Sequence, residues 1–308
     1  MKKLLFGAIM AVFTLGFVSL AIKAPYVYAA QPTVDLGTAT PFAILAGTPL
    51  ISDLPTSVII GNVGLSPGPS SAIGLLCTQV TGIIYAIDGT GNSCFTVNAP
   101  LVVAAKGDLT TAYTDAANRT SVTIVPTELG GQTLTPGVYA SDSTFLHISA
   151  PNPLILDGQG NPDAVFIFEA SDVEAPALVP GPGSVVQLTG QAQACNVFWR
   201  VNAATIDTTA VFKGNILAYD SITVANGANI EGRLLAQTGQ VTLINDTITV
   251  PTCTVTSGGG SGSVTPKLPN TGSASTENNG TLLASSLAAG AILIALASFI
   301  VVRTRRAN

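Results

Sequence analysis

A length of eighteen residues recurs in this chain. Phe212-Lys213-Gly214-Asn215-Ile216-Leu217-Ala218 aligns with Ile230-Glu231-Gly232-Arg233-Leu234-Leu235-Ala236 at an offset of 18. Just upstream, Thr205-Ile206-Asp207-Thr208 aligns with Thr223-Val224-Ala225-Asn226 at the same offset, and Thr242-Leu243-Ile244-Asn245 follows nineteen residues further on. Eighteen residues at about 3.3 Å each trace a path of roughly 60 Å, which suits three short strands and three corners. That is one coil of a triangular parallel β-solenoid, a fold in which each coil buries its apolar side chains by stacking on its neighbours. Ile206, Val224 and Leu243 are then expected to stack inside, with Thr205, Thr223 and Thr242 outside at a spacing of about 4.8 Å. An antiparallel sandwich is the rival arrangement, but it gives no reason for a repeated length.

The rest of the middle agrees with an all-β chain carrying one long helix. Leu101, Ala104, Ala105, Leu109, Ala112, Tyr113 and Ala116 recur at helical spacing, so a helix is expected over Leu101 to Arg119, with Pro100 just ahead of its start. Elsewhere short β-branched runs are broken by Gly, Pro, Asn and Asp. Ser57 to Val63 and Ser184 to Leu188 alternate, whereas Ala164 to Phe168 and Asn196 to Val201 are nearly continuously apolar. Continuous runs imply burial on both faces, with the helix as the obvious cover for the second.

The two ends are of another kind. Met1-Lys2-Lys3, an apolar run over Leu4 to Ile22 and Val27-Tyr28-Ala29-Ala30 make residues 1–29 an expected signal peptide, cut after Ala29 where small residues occupy the −3 and −1 positions. An uncleaved anchor is the alternative. Residues 30–256 are the expected folded domain, 257–267 a Gly/Ser linker and 268–308 a terminal signal. Leu268-Pro269-Asn270-Thr271-Gly272 resembles the LPxTG sorting signal of Gram-positive surface proteins, which a sortase cuts between Thr271 and Gly272 to join Thr271 to peptidoglycan. Behind it, Leu282 to Val302 is long enough to span a bilayer in transit and Arg303-Thr304-Arg305-Arg306 holds the end in the cytoplasm. The expected location is therefore secreted and wall-anchored, with only a passing engagement of the membrane.

Export makes disulfides plausible for Cys77, Cys94, Cys195 and Cys253, which allow three pairings. The favoured pairing joins Cys77 to Cys94, closing a short loop, and Cys195 to Cys253, tying the last strand back to the body. Four buried free thiols are the alternative. The absence of a CxxC pair argues against zinc.

Several segments are also familiar in order. Phe42-Ala43-Ile44-Leu45-Ala46-Gly47, Gly61-Asn62-Val63-Gly64-Leu65-Ser66-Pro67-Gly68, Asp108-Leu109-Thr110-Thr111-Ala112-Tyr113, Glu128 through Tyr139, Ala164-Val165-Phe166-Ile167-Phe168, Ala194-Cys195-Asn196-Val197-Phe198-Trp199 and Gly232-Arg233-Leu234-Leu235-Ala236 resemble the microbial ice-binding protein family across residues 33 to 253. The resemblance implies a right-handed, discontinuous, triangular β-solenoid with the helix along one side and the N-terminal segment inserted between coils. It also implies an ice surface as partner, met by a flat face where some members carry Thr-x-x-Thr or Thr-x-x-Asn. Thr205 with Thr208, Thr223 with Asn226 and Thr242 with Asn245 fit that pattern, while Asp207 and Ile244 interrupt it.

Other chemistries find little material. Residues 31–271 retain six of the twelve basic and sixteen of the seventeen acidic residues, a net charge of −10 against −5 for the whole chain, so a nucleic-acid partner lacks its basic footprint. Solenoid glycan-cleaving enzymes need carboxylates gathered in a groove. Asp157 and Asp163 flank a stretch that reads as a tight turn with a faint calcium-loop look, and Asp172 lies near Glu169 and Glu174. His147 is the sole histidine, Trp199 reads as core, and no nucleophile elbow, phosphate loop or dinucleotide fingerprint occurs. No catalytic residue, metal or cofactor is expected.

Overall fold

A computed structural model describes residues 31–52, 56–170 and 177–254. The signal segment, the linker, Leu268 to Gly272 and the apolar span lie outside the described residues. Among those described, no helix is long and apolar enough to cross a membrane.

The chain opens with β1 (Phe42–Ala46), β2 (Leu50–Ser52) and β3 (Val58–Ile60), then β4 (Asn62–Leu65), β5 (Val80–Thr81), β6 (Ile84–Ala86) and β7 (Thr96–Val97). The long helix α1 (Ala99–Ala117) follows. After it come β8 (Val122–Val125), β9 (Thr133–Leu134), β10 (Gly137–Ser141), β11 (Leu146–Ile148), β12 (Leu154–Asp157), β13 (Phe166–Glu169), β14 (Leu178–Pro180), β15 (Val186–Thr189), β16 (Val197–Val201) and β17 (Ala204–Ile206). The last are β18 (Val211–Ala218), β19 (Ile222–Val224), β20 (Asn229–Ala236), β21 (Val241–Leu243) and β22 (Thr247–Thr249).

All strand pairs among the described residues are parallel, and successive strands step round three faces as a solenoid requires. A helix-side face holds β8, β10, β13, β16 and the C-terminal halves of β18 and β20. A second face stacks β11, β14, β17, β19, β21 and β2. The third holds β9, β12 and β15, then the N-terminal halves of β18 and β20 with β22, β3 and β5. The eighteen-residue period is visible directly, for Val211 to Ala218 pair one for one with Asn229 to Ala236. Both long strands turn a corner at glycine. Gly214 has φ +114°, and a Cβ on Gly232 would lie 1.8 Å from the Gly214 carbonyl oxygen, so the stacked corners admit no side chain. Gly61, at φ +139°, likewise splits the run Ser57 to Val63 into β3 and β4.

The solenoid is discontinuous. β1 lies between β20 and β4, β2 pairs with β21, and β3 with β22, so the first coil of the chain is stacked on its last. This closes a parallel edge that the final coil would otherwise leave open. The connection is made by α1, which begins two residues earlier than its periodicity predicts. Pro100 sits inside the first turn, where its missing N–H costs nothing, and the Asn98 side chain accepts from the Leu101 N–H at 3.2 Å.

Burial explains the continuous apolar runs. Val138, Ile167, Phe198, Leu217 and Leu235 point from the helix-side face into a cluster with Val102, Ala105, Leu109, Ala112 and Ala116 of the helix. Their alternate neighbours fill the bore, where Trp199 stacks on Phe168 at 4.0 Å and its indole N–H donates to the Lys213 carbonyl at 3.1 Å. Cys77 is bonded to Cys94 and Cys195 to Cys253, leaving no free cysteine among the described residues.

Candidate functional site

The second face differs from the other two. Its strands are three residues long, with outer residues pointing into the bore and the middle one pointing out. Leu146 and Ile148, Leu178 and Pro180, Ala204 and Ile206, Ile222 and Val224, and Val241 and Leu243 make the inner layer. The outward residues pair in register as His147, Val179, Thr205, Thr223, Thr242 and Ile51. Six residues about 4.8 Å apart form a row roughly 24 Å long. The helix lies against a different face, so this row stays open to solvent. Thr205, Thr223 and Thr242 are each half-buried between their neighbours, and Ile51 is 37% exposed.

The three threonines therefore share one sheet in strict register. The Thr242 hydroxyl oxygen is shielded and without a hydrogen-bond partner in this arrangement, unlike those of its two companions. Their sequence partners are placed otherwise. Thr208, Asn226 and Asn245 lie beyond the strand ends, in the corner leading to the third face, where Thr209, Gly227 and Asn245 take positive φ. The Asn245 side-chain amide donates to the Asn226 side-chain oxygen Oδ1 at 3.0 Å, so these two meet as a border to the face. The corner after β21 is one residue shorter than its predecessor, which is why an offset of nineteen reverts to eighteen at β22.

The interruptions are muted by local bonding. Asp207 turns its carboxylate onto the Thr208 N–H at 2.6 Å, and Ile244 occupies the corner with its N–H on the buried Asp246 carboxylate at 2.6 Å. Among the described residues charge reaches the row only at one end, where the backbone of Glu128 forms a parallel β-bridge with that of His147. Burial acts to raise the Glu128 carboxyl, but hydrogen bonds from Ser149 and the Gly130 N–H, with the charge of His147, hold it below the usual carboxylate range. By contrast, the third face carries the Lys213–Glu231 ion pair at 2.6 Å in its middle.

His147, Val179 and Ile51 extend the row, though the repeat did not reveal them. Their coils are longer than eighteen residues, but the apolar-x-apolar triplets Leu146-His147-Ile148 and Leu178-Val179-Pro180 carry the signal. Asp157 accepts the Gln159 N–H at 2.9 Å as a tight turn does. Among the described residues no group of three or more His, Cys, Asp or Glu is placed to hold a metal.

Residues 44–249 match the family model described as ice-binding-like. The chain is 38% identical over 223 residues to an ice-binding protein of Flavobacterium frigoris, covering 71% of this chain and 76% of that one. It is 40% identical over 238 residues to an ice-binding protein of a Colwellia species, covering 75% and 90%. Among solved structures, the ice-binding protein 1 domain of Shewanella frigidimarina superposes with a TM-score of 0.64 at 29% identity, covering 72% of this chain and 99% of that one. An ice-binding protein from an Antarctic biological consortium gives 0.62 at 34% identity, covering 74% and 96%. These superpositions span about three quarters of this chain and nearly all of each solved one, and with the match over residues 44–249 they show that the chain belongs to the ice-binding-like family.

Proposed function

We propose that this protein binds ice through the flat face carrying Thr205, Thr223 and Thr242, bordered by Thr208, Asn226 and Asn245. The observation that carries the reading is the in-register row of hydroxyl and methyl groups on a solvent-open sheet that is free of charge from Val179 to Ile51. Methyl groups disfavour disordered hydration, hydroxyls anchor it, and a rigid backbone repeats both at fixed intervals, so many weak contacts act together. Charged groups would order water in a different pattern.

The test is thermal hysteresis and recrystallisation inhibition with Thr223→Tyr. The bulky ring at the centre of the row abolishes both activities while leaving circular dichroism and melting unchanged. Retained activity moves the contact to another face; absence of activity in the parent protein leaves a wall adhesin on the same scaffold.

The reading extends to location. The protein is exported, cut after Ala29 and fixed to the peptidoglycan of a Gram-positive wall by sortase at Leu268 to Gly272, so it holds cells to ice or limits ice at their surface. What supports this is the order of pentapeptide, apolar span and basic tail. Thr271→Ala shifts the protein from the wall fraction to the membrane and medium; an unchanged wall fraction refutes sorting.

A further inference from the structure

The path of the last residues assigns a mechanical role to the Cys195–Cys253 bond. β22 belongs to the last coil, whose strand on the flat face, β21, is fifth in an order of six. After Val250, whose N–H donates to the Ile60 carbonyl at 2.9 Å, the chain does not leave the molecule. It turns back along the corner between the third and helix-side faces. Cys253 bonds to Cys195 at a Cα separation of 6.3 Å. Getting there means crossing from β22 past β20 and β18 to β16, three strand spacings or roughly 14 Å. Three residues span about 10 Å of that, and the disulfide, with its Cα separation of 6.3 Å, covers the rest.

The arrival point is built. Gln193 receives the Thr254 N–H at 2.8 Å and donates to the Thr254 carbonyl at 2.9 Å, fixing the backbone beyond the disulfide at two atoms. The same Gln193 donates to the Pro162 carbonyl at 2.8 Å, which ties the clamp to the neighbouring coil.

Two features of that point matter. Cys195 stands between β15 and β16, on the corner opposite the flat face of a three-sided coil. The coil it opens contains β17 and Thr205, and β17 is third of the six strands of that face. We propose that the disulfide and Gln193 reroute a pull on the C-terminal end from the last coil to the central one, so that tension acts through the middle of the ice-contact face. A load on the third of six strands is shared more evenly among the rows than one on the fifth, which loads the nearer end of the face first. The clamp also spares β22, whose removal would open the junction between the last and first coils on the third face. The use made of this device rests on the ice-contact reading given above.

The test holds the exported chain by its C-terminal end on a force probe, lets it adsorb to ice and measures rupture. Cys195→Ser/Cys253→Ser keeps thermal hysteresis in free solution, where nothing pulls, but rupture force falls about twofold because fewer rows share the load. Cys77→Ser/Cys94→Ser, which removes the other disulfide, leaves rupture unchanged. To set aside altered folding, the intact chain is also pulled through an azide side chain introduced at exposed Thr135, on the same corner but toward the far end of the stack, and ruptures at the lower force. Equal rupture forces for the central and end attachments, with hysteresis present, overturn the proposal. Absent hysteresis in the parent protein instead refutes the ice-contact reading.

Discussion

Asp246 shows how much one side chain can carry. It is 1% exposed and its carboxylate accepts the N–H groups of Ile244 and Ala228, replacing the residue that the short corner lacks. Burial pushes its pKa up to about 7 from 3.8, against the pull of those hydrogen bonds. The folded state therefore binds the proton more tightly than the unfolded one. Stability from this group is complete below pH 4 and is lost as pH rises through about 7, by an amount on the order of 4 kcal/mol. Urea unfolding between pH 4 and 8 should show the decline, and Asp246→Asn, which still offers a carbonyl oxygen to the corner, should flatten it. A slope that survives the substitution assigns the effect elsewhere. The sequence marks Asp246 only as a polar residue near a turn; that it is buried follows from a neighbouring coil and from Ser57, 189 positions away, whose hydroxyl receives its N–H.

The helix is the element on which the helix-side face depends. Leu109 is fully buried between α1 and the sheet, and Leu109→Ala should cost about 2–5 kcal/mol in chemical denaturation through lost contact and the cavity left behind. Hysteresis measured well below the melting point should be unaffected, since the flat face lies elsewhere. Loss of hysteresis without loss of structure would show that the helix side takes part in contact with ice. The helix was legible because it must present one apolar stripe at a period of 3.6, and the strand runs beneath it because both their faces are covered. Its exact start was not: Pro100 reads equally well as ahead of the first turn or within it until the Asn98 cap is seen.

At the scale of the whole molecule the junction between last and first coils decides cohesion. Arg233, buried in β20, donates to the Thr40 carbonyl at 2.7 Å across that junction and to the Asn215 amide oxygen at 2.8 Å within the stack. Arg233→Met leaves both acceptors without this donor in a dry site, at a cost of about 1–3 kcal/mol for each. Melting temperature should fall, and hydrogen exchange should rise first in β1 and β20. Uniform protection loss across all coils would mean that the junction is no weaker than the rest of the stack.

Sequence alone determined the period, because every coil must bring like residues to like places and an eighteen-residue path fits three short sides. It also determined the inward and outward alternation of the threonine triplets, since strand side chains alternate by geometry, and it narrowed the cysteines to three possible pairings. What only the tertiary structure decided depends on contacts between residues far apart in the chain. That the first coil docks on the last, that His147, Val179 and Ile51 prolong the threonine row through coils of unequal length, and that the chain end folds back to the central coil all follow from stacking. Corner insertions change the sequence interval between stacked residues without changing their spacing in space, so a periodic reading loses them where hydrogen-bonded register does not.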